Sequence, residues 1–158
     1  MNNKKVITLE NFKSLKNQGL FETQKIVFTN GCFDILHSGH VLYLEEAAAL
    51  GDILILGLNS DKSVKRLKGD ERPINDEIDR AIVLAGLSCI DYIIIFEEDT
   101  PLILINIIKP DILVKGGDWD INDIVGSDIV INNGGVVKSL LFREGKSTTE
   151  IIKRIKKS

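Results

Sequence analysis

The sequence predicts an α/β fold built on a parallel sheet of five strands, and three observations predict it. Continuous runs of Ile, Val and Leu alternate with amphipathic stretches along the whole chain. Runs such as Ile53-Leu54-Ile55-Leu56 and Ile93-Ile94-Ile95 lack polar alternation and suit strands covered on both faces. No internal repeat, low-complexity tract or linker interrupts the pattern, and only 3 Pro occur, so the 158 residues read as a single domain over 1–158. A chain of this size can bury roughly 70% of the surface its unfolded form exposes.

A short N-terminal helix is expected over 8–17, centred on Leu9 to Lys16, ahead of a core over 25–155. The strands are expected at Lys25 to Thr29, Ile53 to Leu58, Tyr92 to Phe96, Ile112 to Lys115 and Val136 to Phe142. Helices are expected between them at Gly39 to Leu50, Asp61 to Leu67, Asp76 to Leu87 and Pro101 to Ile108. Asn75 can cap the third of these, and Thr100 offers a hydroxyl ahead of Pro101, whose ring suits a first turn. Pro110 lacks the N–H needed to continue that helix. Ser147-Thr148-Thr149-Glu150 is a capping box that opens a last helix. This order describes a Rossmann-like, doubly wound sheet, in which ligands gather beyond the carboxyl ends of the strands.

Composition narrows the function. A net charge of -3 argues against non-specific nucleic-acid binding, so no nucleic-acid partner is expected. No apolar run approaches 18 residues and no signal-peptide pattern is present, so a cytoplasmic protein without a membrane partner is expected. The 2 Cys, Cys32 and Cys89, read as small core fillers. The basic stretch Lys146 to Lys157 reads as a solvated helix end, where cations suit the dipole.

One segment concentrates the chemistry: Gly31-Cys32-Phe33-Asp34-Ile35-Leu36-His37-Ser38-Gly39-His40. It holds both histidines of the chain. If a helix begins near Ser38, His37 and His40 share a face of its first turn, beside unpaired N–H groups and the positive dipole end. Such a corner attracts phosphate. Capping or half-buried packing is the bland alternative for either histidine alone, and metal ligation by the pair lacks an evident third ligand cluster. Asn59-Ser60-Asp61 closes the second strand and can contact ribose or cap the next helix, with Asp61 favoured as the cap. Lys65, Arg66, Lys68 and Arg72 crowd a polar loop suited to an anionic substrate, with a solvated surface as the alternative. Lys115-Gly116-Gly117-Asp118 ends the fourth strand, where paired glycines expose backbone groups able to read a base edge and Lys115 offers a point charge. Ser147, Thr148 and Thr149 form a second helix N-terminus able to hold phosphate, and capping accounts for only one of their hydroxyls.

Phe28 to His40, Asn59-Ser60-Asp61, Arg66-Leu67-Lys68-Gly69, Arg72-Pro73, Phe96 to Pro101, Leu113 to Asp118 and Ser147-Thr148-Thr149 together resemble the heptose 1-phosphate adenylyltransferases. These belong to the cytidylyltransferase-like nucleotidyltransferases, and the resemblance covers about residues 5 to 155. His37-Ser38-Gly39-His40 matches the His-x-Gly-His motif of the superfamily, whereas Lys115 to Asp118 and Glu97 to Pro101 point to the heptose branch. The resemblance implies transfer of AMP from ATP, with Mg²⁺, to D-glycero-D-manno-heptose 1-phosphate, giving ADP-heptose for lipopolysaccharide or another surface glycan. It implies a homodimer, with any kinase step on another chain. His37 and His40, with Arg66 and Arg72, would act on the phosphates. Asn30, Gly31, Cys32, Phe33, Asn59, Ser60, Asp61, Lys115, Gly116, Gly117, Asp118, Ser147, Thr148 and Thr149 would bind the nucleotide. Relatives carry a Lys or Arg just before Leu50-Gly51-Asp52, where this chain has Ala47-Ala48-Ala49, so the Lys65 to Arg72 loop is expected to close on the triphosphate instead. Trp119 stands where many relatives have tyrosine. A glycerol 3-phosphate cytidylyltransferase-like enzyme and a non-catalytic nucleotide-binding module remain alternatives.

Overall fold

In a computed structural model that describes residues 4–141 and 147–157, five parallel strands lie in the order β3-β2-β1-β4-β5. The chain runs α1 (Leu9–Asn17), β1 (Ile26–Gly31), α2 (Ser38–Ala48), β2 (Ile53–Asn59), α3 (Asp61–Lys68), α4 (Glu77–Ala85) and β3 (Tyr92–Phe96). It continues through α5 (Leu102–Ile108), β4 (Ile112–Gly116), a 3₁₀ turn (Ile121–Asp123), α6 (Ser127–Asn132), β5 (Val136–Leu140) and α7 (Thr148–Ile155). Every residue of β2 is buried, as its unbroken apolar run requires. One core layer packs Phe12, Leu104, Ile105, Ile108 and Val130 on one face of the sheet. The other packs Tyr43, Leu44, Ala47, Ala81, Leu84 and Ala85 on the opposite face.

Aspartates fix the amino ends of the strands. Asp52 accepts from Lys25 N at 2.7 Å, Asp111 from Ile26 N at 2.7 Å and Asp91 from Leu54 N at 2.8 Å. Each satisfies an N–H that the ladder leaves over. The outer edge of β3 is covered by the N-terminal segment, through Ile7 N to Ile93 O at 3.0 Å and Ile93 N to Lys5 O at 2.8 Å.

Several boundaries differ from the expectation. Asp76, not Asn75, caps α4, accepting from Ile78 N and Asp79 N. Asn75 is instead drawn inward, donating to Asp34 O at 2.7 Å. Ser60, not Asp61, caps α3, because its hydroxyl reaches Ser63 N at 3.2 Å while Asp61 is the first helical residue. Pro101 occupies the cap of α5 and no Thr100 bond caps that helix. α6 was absent from the expectation: it has six residues and is entered through Gly126 rather than a hydroxyl cap. β5 ends at Leu140, and Phe142 and Lys146, which the sequence reading used, lie outside the described residues.

Two buried side chains tie the carboxyl-end loops together. Asp34, with a fully buried side chain, accepts from Arg72 Nε at 2.5 Å, Ile74 N at 2.8 Å and Asn75 N at 2.9 Å. Burial would raise its pKa, but the N–H groups of Asn75 and Ile74 and the Arg72 guanidinium outweigh it and hold the carboxyl below its usual value. Arg80 reaches from α4 to Asn75 O at 3.0 Å, Cys32 O at 2.6 Å and Asp61 Oδ1 at 2.8 Å.

Asp34→Ala should therefore strand the Arg72 guanidinium and two backbone donors, at a cost of about 3 kcal/mol in urea denaturation. A loss below about 1 kcal/mol would mean that the clasp contributes no more than a surface ion pair.

Candidate functional site

β1 delivers the chain to the carboxyl edge of the sheet at Asn30 and Gly31, next to the switch point where β2 and β4 flank β1 on opposite sides. A Cβ on Gly31 would stand 2.8 Å from the Phe33 ring, so only glycine lets that ring fold back here. Phe33 takes φ 44° to do so, and its ring meets His40 edge-on at 5.1 Å between centroids.

His37 is the N-cap residue of α2, with φ -143° and ψ 168°, and no side chain caps the helix. Its carbonyl accepts from His40 N at 2.9 Å, while the N–H groups of Ser38 and Gly39 have no intrahelical acceptor. The imidazoles of His37 and His40 stack at 3.8 Å, 20° from parallel. Burial, then the neighbouring His37, pushes the His40 pKa down to about 4, so that ring is neutral at pH 7. Tyr43, one turn on, anchors α2 from below through Thr29 Oγ1 at 2.6 Å and Val114 O at 3.4 Å.

These groups open onto a cleft of about 810 Å³. Lys68, at the end of α3, and Lys115, on β4, both line it. Burial holds the Lys115 ammonium below its usual pKa; Cys32 offsets part of that and Lys68, a like charge, adds to it. An anion between these lysines would relieve both penalties. At the N-terminus of α7, Ser147 Oγ caps by accepting from Glu150 N at 3.1 Å, and Thr148 Oγ1 donates to Ile35 O at 3.3 Å. Thr149 also lines the cleft.

Of the residues singled out in the sequence, the cleft is lined by Asn30, Gly31, Cys32, Phe33, His37, His40, Asn59, Lys68, Arg72, Lys115, Gly116, Trp119, Ser147, Thr148 and Thr149. Ser60, Asp61, Arg66, Gly117 and Asp118 are not among its lining residues. Arg66 is not on a loop, because α3 continues to Lys68. Helical spacing puts Lys62 and Arg66 on one face, where they pair with Glu97 at 3.3 Å and Asp99 at 2.6 Å. Arg66 also donates to Glu97 O, and so braces the segment after β3 instead of closing on the cleft. Arg72 lines the wall, but its charge is matched by Asp34. Asp61 is held by Arg80 and Ser60 is consumed as a cap.

The paired glycines do not present a free backbone edge. Gly117, at φ 120°, turns the chain so that its N–H donates to Leu140 O at 2.8 Å and its carbonyl accepts from Ser139 Oγ. The Trp119 indole then folds back, Nε1 donating to Gly116 O at 3.0 Å. Cys32 is half-buried on the cleft wall, not a core filler, and Cys89 is half-buried too. Lys68, one of the four cations that the sequence offers for an anion, does reach the cleft, whereas Tyr43 was not singled out from the sequence.

Among the described residues no three His, Cys, Asp or Glu side chains converge as a metal cage, and no helix is long and apolar enough to cross a membrane. Of the three carboxylates lining the cleft, Asp34, Asp99 and Asp123, the first two are engaged by arginines.

Residues 28–154 match the cytidylyltransferase-like family. The chain is 62% identical over 133 residues to the bifunctional protein HldE of Nitratiruptor sp., covering 84% of this chain and 28% of that one. It is 58% identical over 151 residues to the bifunctional protein HldE of Helicobacter pylori, covering 92% and 32%. The chain thus spans about a third of the length of these curated relatives. Among solved structures, the lipopolysaccharide core biosynthesis protein from Thermoplasma volcanium superposes with a TM-score of 0.63 at 30% identity, over 78% of this chain and 99% of that one. Pantoate-beta-alanine ligase from Francisella tularensis, at 15% identity over 96% of this chain and 76% of that one, with a TM-score of 0.62, shares the fold.

Between pH 6.5 and about 4 the unfolded chain takes up a proton on His40 that the folded chain refuses, so stability should fall as pH falls through that window. Pyrophosphate in the cleft favours the charged ring and should move the midpoint upward. NMR titration of the His40 ring with and without pyrophosphate checks both, and an unmoved midpoint would place the anion elsewhere.

Proposed function

We propose a function from one premise: this chain belongs to the cytidylyltransferase-like family. The proposed reaction is transfer of AMP from ATP to D-glycero-D-manno-heptose 1-phosphate, giving ADP-heptose and pyrophosphate. One observation carries it, the convergence on a single cleft of the stacked histidines, the uncapped N-terminus of α2 and the two lysines Lys68 and Lys115. The volume of about 810 Å³ suits a nucleotide with a sugar phosphate. The heptose branch is supported by the motif resemblance at Lys115 to Asp118 and Glu97 to Pro101, and by similarity to the HldE proteins and to a lipopolysaccharide core biosynthesis protein.

The second ionisation of a sugar phosphate lies near pH 6, so at neutral pH its oxygen is already a nucleophile and needs no general base. That oxygen forms a bond to the α-phosphorus as the bond to the bridging oxygen breaks, and pyrophosphate leaves with the electron pair. Negative charge grows on the α-phosphate and the departing group, and the first-turn N–H groups of α2, His37 and His40 are arranged to donate to it. His40, being neutral, contributes a hydrogen bond rather than a charge. Lys68 and Lys115 supply the cations, in place of both the absent α2 cation and the two engaged arginines. Mg²⁺ enters this reading with ATP, as part of the substrate. Small molecules are the partners and the cytoplasm the compartment, with a homodimer expected from the resemblance and checked by light scattering.

The test is pyrophosphate release from a panel of nucleoside triphosphates paired with sugar and alcohol phosphates. ATP with the heptose 1-phosphate should be the preferred pair. Comparable turnover of CTP with glycerol 3-phosphate would reject the assignment. His37→Ala and His40→Ala should each lower kcat by about 10² to 10³, the loss typical for one donor to a developing oxyanion; near-parental turnover in either would remove that histidine from the mechanism.

A further inference from the structure

The carboxyl end of β2 carries a buried relay that the proposed phosphate chemistry does not use. Asn59 lines the cleft yet is only 3% exposed. Its Nδ2 donates to Ser63 Oγ at 3.0 Å, and Ser63 Oγ donates to Glu98 O at 3.0 Å. A backbone carbonyl can only accept, so the single hydroxyl proton of Ser63 is committed to Glu98. Towards Asn59 the hydroxyl can then only accept, and the amide must turn its NH₂ to it. Proton count therefore fixes the rotation of the amide. The other end of that amide, Oδ1, is left with no hydrogen-bond partner among the described residues.

Asn59 Oδ1 is not sealed from solvent, so at the wall of the cleft it stands as an open acceptor. It cannot receive a phosphate oxygen, which also only accepts. Nor does its position suit a base. Trp119, the exposed aromatic ring of the cleft, stands after β4, on the far side of β1 from β2, whereas Asn59 ends β2 opposite Phe96 of β3. Hydroxyl groups are the donors that remain, and both proposed substrates carry them on their sugars.

We infer that Ser63 is a positioning residue that, anchored on Glu98, locks the Asn59 amide so that its carbonyl oxygen forms a sugar-hydroxyl subsite in the cleft. This rests on the nucleotidyl-transfer reading above. Ser63 touches no substrate and acts through Asn59. The hydroxyl belongs either to the ribose or to the acceptor sugar, and the two sources separate in one experiment.

ATP, 2′-deoxy-ATP and 3′-deoxy-ATP are titrated into the parent chain and into Ser63→Ala, following Trp119, the only tryptophan of the chain. The KM for the sugar phosphate and kcat are measured in parallel. Ser63→Ala frees the amide to rotate and should weaken one sugar-bearing ligand about fivefold, with kcat at saturation little changed; Ser63→Thr, which keeps the hydroxyl, should restore it. If the ribose is the donor, the parent discriminates against one deoxy-ATP and Ser63→Ala does not. If the acceptor is the donor, the three nucleotides bind alike and the sugar-phosphate KM rises. Should Ser63→Ala not fold, Asn59→Ala removes the acceptor itself and gives the same readouts. Unchanged nucleotide affinity and unchanged sugar KM would overturn the inference, as would a loss confined to kcat. Failure of the parent to bind ATP at all would instead strike the proposed function, and this subsite with it.

Discussion

The cleft depends on a buried carboxylate. The loop after β1 and the loop before α4 share no sheet ladder, and Asp34 joins them by collecting Arg72 Nε, Ile74 N and Asn75 N while Asn75 Nδ2 returns to its carbonyl. Arg80 extends the same network to Cys32 O and to Asp61 at the start of α3. Burying these charges gains little net stability over an apolar contact, but breaking one partner is costly, so the network admits one arrangement of the loops. That arrangement is what places Phe33 over Gly31 and against His40.

A second consequence is a division of labour among the cations. The two arginines on which a sequence reading would load the phosphates are occupied, Arg66 by Asp99 and Glu97 O, and Arg72 by Asp34. The groups left to meet an anion are a neutral imidazole, helix N–H groups and two lysines, one of them with its charge disfavoured by burial. Each gains when a polyanion enters, and among the described residues neither Lys68 nor Lys115 is held in an ion pair. That is electrostatic preorganisation in the sense that matters for phosphoryl transfer.

The sheet was legible because strands buried on both faces must be apolar throughout, and runs such as Ile53 to Leu58 have no other stable use. The histidine pair was legible because His-x-x-His at a helix start has one geometry. What escaped depends on tertiary context. Whether Asn75 or Asp76 caps α4 turns on Asn75 being drawn to Asp34, about forty positions away in sequence. α6 is too short for periodicity to register. Lys65 to Arg72 read as a loop because charge dominates it, yet the helix persists to Lys68 and its period sorts the cations to different walls. The commitments of Gly116 O and Gly117 O to Trp119 and Ser139 follow from a turn that no local pattern announces.

Calorimetric titration of pyrophosphate into Lys115→Met and Arg66→Ala decides whether lysines or arginines meet the triphosphate. Lys115→Met should weaken binding at least about tenfold, as expected for losing a charged hydrogen-bond donor, while Arg66→Ala should stay within about twofold because its charge is already spent on a surface pair. The reverse order, a large loss in Arg66→Ala with Lys115→Met unaffected, would contradict the lysine assignment.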